Sequence, residues 1–320
     1  MLWLKKILVL FLLGFAGAAC AQWPNQPIKI INPFPPGGTV DQIARLLQPH
    51  LQQALGQAII IENRIGASGS IGTSAAAKAA PDGNNWVFVF DTHGVNPSLI
   101  PNLSFDTLKD LSPVMLIGKG AMVVTAHAST PYKTFGEMLQ AARSKPGAIS
   151  YGTIGSGSLA HLAMTTMANQ YKVDWTHIPY KGGGPLAVDG VAGHVPVTMA
   201  TYALWAPHLA SGKLRALAVT SPRRMAQLPD VPTVAEQGLA GFEAEAWWGV
   251  LGPAGVSSEI VARLNSELAK ILKIPAVQER LIQMGVLVVS SSPDEFSKFI
   301  QKEVEMWGKV VRENNIKAGA

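Results

Sequence analysis

Two short segments of this sequence place glycines and hydroxyls just ahead of a helical pattern, an order of residue types suited to holding an anion. One is Phe34-Pro35-Pro36-Gly37-Gly38-Thr39-Val40-Asp41; the other is Gly152-Thr153-Ile154-Gly155-Ser156-Gly157-Ser158. Glycine lets the backbone approach a ligand, the hydroxyls add donors, and a helix N-terminus presents unpaired N–H groups that carry partial positive charge. Phe34, Pro36, Gly37, Gly38 and Thr39 in the first segment, and Thr153, Gly155, Ser156, Gly157 and Ser158 in the second, are therefore candidate ligand-binding residues. Facing each other, the two turns could hold a carboxylate without an arginine. Such turns also punctuate chains that bind nothing. Asp41 is a candidate too, although an acid in a first helical turn serves the helix dipole and reads more readily as structural.

A third group, Thr92-His93-Gly94-Val95-Asn96-Pro97, follows an apolar run. Thr92, His93 and Asn96 could bond a ligand or brace the loop. His161, near the start of the helix after the second turn, could donate toward the same place or position the turn. Lys181, beside Tyr180 and Gly182 to Gly184, could steer an anion, though a solvated lysine is the ordinary case.

Enzyme signatures are missing. The sequence has no HExxH, CxxC, Walker A spacing or strand-borne GxGxxG with a partner acid, and its seven histidines show no metal-ligand spacing. Gly66-Ala67-Ser68-Gly69-Ser70 lacks the closing glycine of a nucleophile elbow. A serine nucleophile at Ser156 or Ser158 paired with His161 has no separate orienting acid nearby in sequence. No catalytic residue, metal ligand or cofactor is expected.

The elements that must position these groups alternate as in α/β folds with largely parallel strands. Ile28 to Phe34 reads as a strand. Thr39 with Gln42 suggests a capping box for a helix from Val40 to Leu55, closed by Gly56. Ala58 to Glu62 and Trp86 to Phe90 follow as strands around an Ala-rich helix, completing a βαβαβ unit. Val114 to Ala126 is long enough to cross between lobes. A second α/β set follows: helices over Phe135 to Ser144, Leu159 to Tyr171 and Pro185 to Ala192, with strands over Ile149 to Gly152, Thr176 to Tyr180, Val195 to Met199 and Leu214 to Thr220. Ala244 to Leu251 returns the chain, and helices over Ser258 to Lys273, Val277 to Met284 and Asp294 to Asn314 complete it. Trp247-Trp248 could floor a pocket or belong to the core. In open α/β sheets ligands bind beyond the carboxyl ends of strands, where both glycine turns fall.

The fold class expected is thus α/β in two lobes with a cleft between them and a two-crossing hinge. Residues 22–124 with 246–320 form lobe 1, and residues 125–245 form lobe 2. Residues 1–21 read as a secretory signal: Lys5 and Lys6, the apolar run Ile7 to Phe15, then small residues to Ala21. Cleavage before Gln22 fits Ala19-Cys20-Ala21, with lipidation at Cys20 the alternative. The expected location is the periplasm, with a soluble mature chain. Losing Lys5 and Lys6 lowers the formal charge from +5 to +3. With 15% charged and 48% hydrophobic residues and no arginine-rich stripe, the composition is globular and does not support nucleic-acid binding.

An ordered set of motifs resembles the extracytoplasmic receptors of tripartite tricarboxylate transporters, the Bug-type solute-binding proteins. It runs from Trp23-Pro24 through Pro35-Pro36-Gly37-Gly38 with Asp41 and Arg45, Glu62-Asn63-Arg64 with Gly66-Ala67 and Gly69, and His93 with Asn96-Pro97. It continues with Tyr151-Gly152-Thr153, Gly157-Ser158, His161-Leu162-Ala163, Pro179-Tyr180-Lys181-Gly182, Gly212 to Val219, Leu228 to Thr233 and Pro253-Ala254-Gly255. The resemblance covers nearly the whole mature chain. It implies a type II periplasmic-binding-protein fold, no catalysis, and delivery of a small carboxylate to membrane permease subunits. Asp91, Thr165 and the stretch Ala200 to Trp205 depart from the family's usual residues and bear on ligand identity, which makes Tyr202 a further candidate contact. A monomer suits a hinge that must open freely. A sensory subunit that docks on a signalling partner fits the same sequence.

Overall fold

The computed structural model describes residues 23–318, so the signal segment and Cys20 lie outside the described residues. The chain opens with β1 (Ile28–Asn32), α1 (Thr39–Leu55), β2 (Ile59–Asn63), a 3-10 turn (Ala67–Gly69), α2 (Ser70–Ala77), β3 (Asn85–Phe90) and α3 (Thr92–Leu99). β1 pairs in parallel with both β2 and β3, the expected βαβαβ unit. α1 packs by a stripe at helical spacing, Ile43, Leu47, Leu51 and Leu55, all buried.

β4 (Leu111–His127) is the element on which the architecture turns. Its first part, Leu111 to Ala121, pairs antiparallel with β9 (Glu245–Pro253), and its second, Met122 to Ala126, pairs antiparallel with β7 (Val197–Thr201). One 17-residue strand therefore belongs to two half-sheets. The first half-sheet runs β2-β1-β3-β9-β4, and the second runs β4-β7-β5-β6. β10 (Val286–Val288) and β8 (Leu214–Val219) also pair with β4.

Between these lie α4 (Phe135–Ser144), β5 (Ser150–Thr153), α5 (Leu159–Tyr171), β6 (Thr176–Pro179), α6 (Gly183–Ala192) and α7 (Tyr202–Ala210). After β9 come α8 (Ser258–Ile271), α9 (Pro275–Gln283) and α10 (Pro293–Glu313). α10 opens on a complete capping box at Ser292 and Glu295. The capping box expected at Thr39 is absent. Gly38 is the N-cap and makes no side-chain cap bond, and the Gln42 amide instead donates to Gly37 O at 2.8 Å.

Trp247 and Trp248 are both core, on opposite faces of β9, as alternation along a strand requires. Trp248 packs on Phe90, while Trp247 packs on Phe296 and Phe299 of α10 and donates to Glu303. No helix of the described residues is long and apolar enough to cross a membrane.

Candidate functional site

The first glycine turn is held by a buried carboxylate. Asp41 accepts from Gly37 N–H at 3.0 Å, Arg45 Nε at 2.9 Å, and the side-chain amides of Asn32 and Asn63, each at 3.2 Å. Asn63 also donates to Phe34 O at 3.0 Å, and Phe34 N–H donates to Asn32 Oδ1 at 3.1 Å. Burial alone raises a carboxyl pKa. Here the bonds from Arg45, Gly37 and Asn63 outweigh it and hold Asp41 at about 2. Asp41 is thus ionised and fully engaged as the hub of the turn.

That hub decides which amides are free. Gly37 N–H is spent on Asp41, and Gly38 N–H reaches Pro35 O at 3.3 Å. The first-turn amides of Thr39 and Val40 lie N-terminal to the first intrahelical bond, Gln42 N–H to Gly38 O, and take no acceptor among the described residues. The open donors therefore sit one step into α1 rather than on the two glycines. Pro36, Gly37 and Gly38 are solvent-exposed, and Thr39 is half-buried.

The second turn is built without a charge. Ser158 caps α5 by accepting His161 N–H at 3.3 Å, and Ser158 N–H donates to Gly155 O at 3.2 Å. Gly157 N–H donates to His161 Nδ1 at 3.0 Å. The Thr153 hydroxyl donates to Gly155 O at 3.1 Å. Leu159 and Ala160 N–H, at the head of α5, and the Ser156 hydroxyl have no partner among the described residues. Among the described residues neither serine bonds the His161 ring and no acid pairs with it, so a Ser–His–acid arrangement is not assembled there.

Thr92, His93 and Asn96, expected as a loop, form the body of α3. Gly94 and Pro97 disguise that helix in sequence because both weaken helical patterns. Thr92 Oγ1 and Asn96 Nδ2 both donate to Ser68 O, at 3.0 and 3.1 Å. They brace a turn in which Ala67 and Ser68 take positive φ, +45° and +53°, an uncommon conformation for residues with a Cβ. His93 is buried between Phe105 and Trp247, and burial holds its pKa at about 3.

The same contacts draw the turns together. A Cβ on Gly69 (φ +87°) would lie 2.9 Å from the Phe34 ring, so the 66–69 turn closes on the first glycine turn. A Cβ on Gly157 (φ +72°) would lie 2.2 Å from Leu99 Cδ2, so the end of α3 seats on the second. From Phe34 through Gly69, Ser68, Asn96 and Leu99 to Gly157, one continuous path links the two glycine turns. Tyr202 opens α7 directly after the carboxyl end of β7 and packs on Gly285, just beyond α9. Asn32, Asn63, Ser68 and Leu99 were not singled out as site residues by sequence. Their roles are supportive; Asn63 lies in the Glu62-Asn63-Arg64 motif and Ser68 in the glycine-flanked 66–70 segment.

Against this geometry, the family model described as "Tripartite tricarboxylate transporter family receptor" matches residues 43–316. The chain belongs to that family. It is 35% identical over 307 residues to protein BugT of Bordetella pertussis, covering 95% of this chain and 94% of that one. Among solved structures, Rpa4515 of Rhodopseudomonas palustris with adipate aligns at TM-score 0.86 and 31% identity, covering 92% of this chain and 99% of that one. MatC of the same organism with bound malate aligns at TM-score 0.82 and 32% identity, covering 90% and 100%. Family and fold are those of periplasmic solute-binding receptors, as the resemblance implied.

Proposed function

We propose that this receptor captures a small mono- or dicarboxylate between lobe 1 (22–124 with 246–320) and lobe 2 (125–245), and delivers it to the membrane subunits of a tripartite transporter. The observation that carries the reading is a pair of helix heads, α1 and α5. Each follows the carboxyl end of a parallel strand, each keeps first-turn amides unpaired, and each has a hydroxyl, Thr39 or Ser156, alongside. Adipate and malate in Rpa4515 and MatC give the ligand class.

Thr39, Val40, Ser156, Leu159 and Ala160 are the donors in this reading. Pro36, Gly37, Gly38, Thr153, Gly155, Gly157, Ser158 and His161 shape the two turns, and Phe34, Asp41, Thr92, His93 and Asn96 support them from below. β4 and the return from Thr220 to β9 form the hinge. The protein works as a periplasmic monomer after cleavage before Gln22, and it binds rather than transforms its ligand. Closure draws its free energy from contacts made only in the closed state.

Calorimetric titration of the mature protein with a panel of mono- and dicarboxylates, adipate and malate included, tests this. Saturable binding of at least one, competed by no sugar or simple cation, is the expected result. Silence across the carboxylates with binding of a sugar or cation refutes it.

A further inference from the structure

His177 on β6 carries no motif of its own, yet its ring stacks on that of His161 with centroids 3.8 Å apart and planes 13° from parallel. Tyr151 also stacks on His177, at 5.0 Å. Each imidazole commits one nitrogen to the second glycine turn. His161 Nδ1 accepts Gly157 N–H at 3.0 Å, so the proton of that neutral ring sits on Nε2. His177 Nε2 lies 2.7 Å from Thr153 Oγ1. With the Thr153 hydrogen on Gly155 O, 3.1 Å away, His177 Nε2 is the donor of this contact and its Nδ1 is bare; with that hydrogen on Nε2 the roles reverse, and the contact holds the turn in either tautomer. The two rings thus grip the turn from both ends, at Thr153–Gly155 and at Gly157.

We propose that the stacked His161–His177 pair is the positioning element of the second glycine turn: as two neutral rings it fixes the Gly155–Ser158 backbone, and a proton on His161 Nδ1 releases it. A proton on His161 Nδ1 would replace the acceptor that Gly157 N–H needs, and a second cation 3.8 Å away would repel the first. The surroundings favour neutrality. Burial lowers the His161 pKa to about 4, and burial together with the neighbouring ring lowers that of His177 to about 3. Both rings border a cavity of about 390 Å³ with Tyr151 of β5, Thr165 of α5, Trp175 ahead of β6, and Asn314 to Lys317 beyond α10. Burial raises the Tyr151 pKa, so its hydroxyl stays protonated, and Lys317 is the one charged side chain among these neighbours at neutral pH. That charge opposes a second cation rather than inviting one.

The consequence for anion binding rests on the functional reading above; the brace itself does not. The decisive experiment is therefore free of ligand: amide hydrogen exchange at Gly157, with nitrogen chemical shifts of both rings, in the mature protein and in His161→Ala, His161→Asn and His177→Gln. Asn offers an oxygen where Nδ1 accepted, and Gln offers an amide where Nε2 bonded Thr153. Gly157 exchange is expected to accelerate at least about tenfold in His161→Ala and to stay near wild type in His161→Asn, one lost hydrogen bond being worth about that factor. In the wild type both rings should titrate below about pH 5, and Gly157 protection should fall over the same range.

Equal Gly157 exchange in wild type and His161→Ala overturns the proposal, as does an Nδ1 proton on His161 or titration of both rings near the ordinary histidine value. If His161→Ala does not fold, the wild-type pH series and His161→Asn still decide. Adipate titrations add the functional arm, with affinity lost in His161→Ala and recovered in His161→Asn. A wild type that binds neither adipate nor malate counts against the functional reading, while the exchange data still decide the brace.

Discussion

The two glycine turns do the same geometric job by opposite electrostatic means. The first is organised by a formal charge: Asp41 gathers Gly37 N–H, Arg45 and two asparagines around one buried carboxylate. The second is organised by neutral groups, with Ser158, Thr153 and two stacked imidazoles sharing the backbone among them. A charged hub gives strong, charge-assisted hydrogen bonds and tolerates solvent near it. A neutral one adds no net charge beside the site and depends on staying unprotonated. The difference shows how first-turn amides at a helix head can be left open without any shared residue.

The sharpest way to break the comparison is steric. Gly157→Val places a branched side chain where Leu99 already lies 2.2 Å from the added Cβ, and it does so at a positive φ. Carboxylate affinity should fall by at least about a hundredfold, since displacing the turn removes hydrogen bonds and adds strain. Gly38→Ala is its counterpart. Gly38 is extended, at φ −68°, and an added Cβ meets only Pro35 O at 3.3 Å, so affinity should change by no more than about tenfold. Calorimetry on both variants checks this, and equal losses would erase the asymmetry.

The next effect is on stability. Asp41→Asn at neutral pH should cost about 2 kcal/mol by urea denaturation, because holding an Asp pKa at about 2 instead of its ordinary value represents roughly that much. With a folded-state pKa of about 2, the Asp41 contribution is complete above the ordinary carboxyl range and is lost as the pH falls through about 2. The second turn has its own pH window. Folded-state pKa values of about 4 and 3 for His161 and His177 mean that the unfolded chain takes up protons first. Stability should therefore decline as soon as the pH falls below about 6.5, well before Asp41 is protonated. In His161→Asn combined with His177→Gln, the early part of that decline should shrink while the Asp41 part remains.

Away from both turns, Asp91 is buried and its carboxyl oxygens have no side-chain partner. Burial, with the nearby Glu303, pushes its pKa well above the usual range. A group with a raised folded-state pKa loses stability as the pH rises toward that value. Asp91→Asn should accordingly stabilise the protein at pH 7 by about 1 kcal/mol and do little at pH 4. An effect of the same size but opposite sign is expected for Ser158→Ala, which removes an N-cap bond worth about 1 kcal/mol at every pH from 5 to 8.

Much of this was legible in the sequence where the signal was periodic. α4 and α5 match their expected ranges, and the long run around Val114 to Ala126 lies within β4. α3 was not legible, since Gly94 and Pro97 mask eight helical residues whose stability comes from packing against α10. β10 is three residues long and pairs only with β4, too short for any pattern. At the proposed site, residue types pointed to the two glycine turns, but not to which amides stay open. That depends on Asp41 and His161 capturing the glycine N–H groups, a tertiary result no local spacing reveals. His177 escaped notice for the same reason: its partner is brought to it by the pairing of β5 with β6.

Residue-resolved hydrogen exchange, with and without a saturating carboxylate, reads the two helix heads directly. Ligand should slow Thr39 and Val40 together with Leu159 and Ala160, and leave Gly37 and Gly157 little changed because their N–H groups are already engaged. Protection confined to one helix head, or appearing instead at the glycines, would contradict the account.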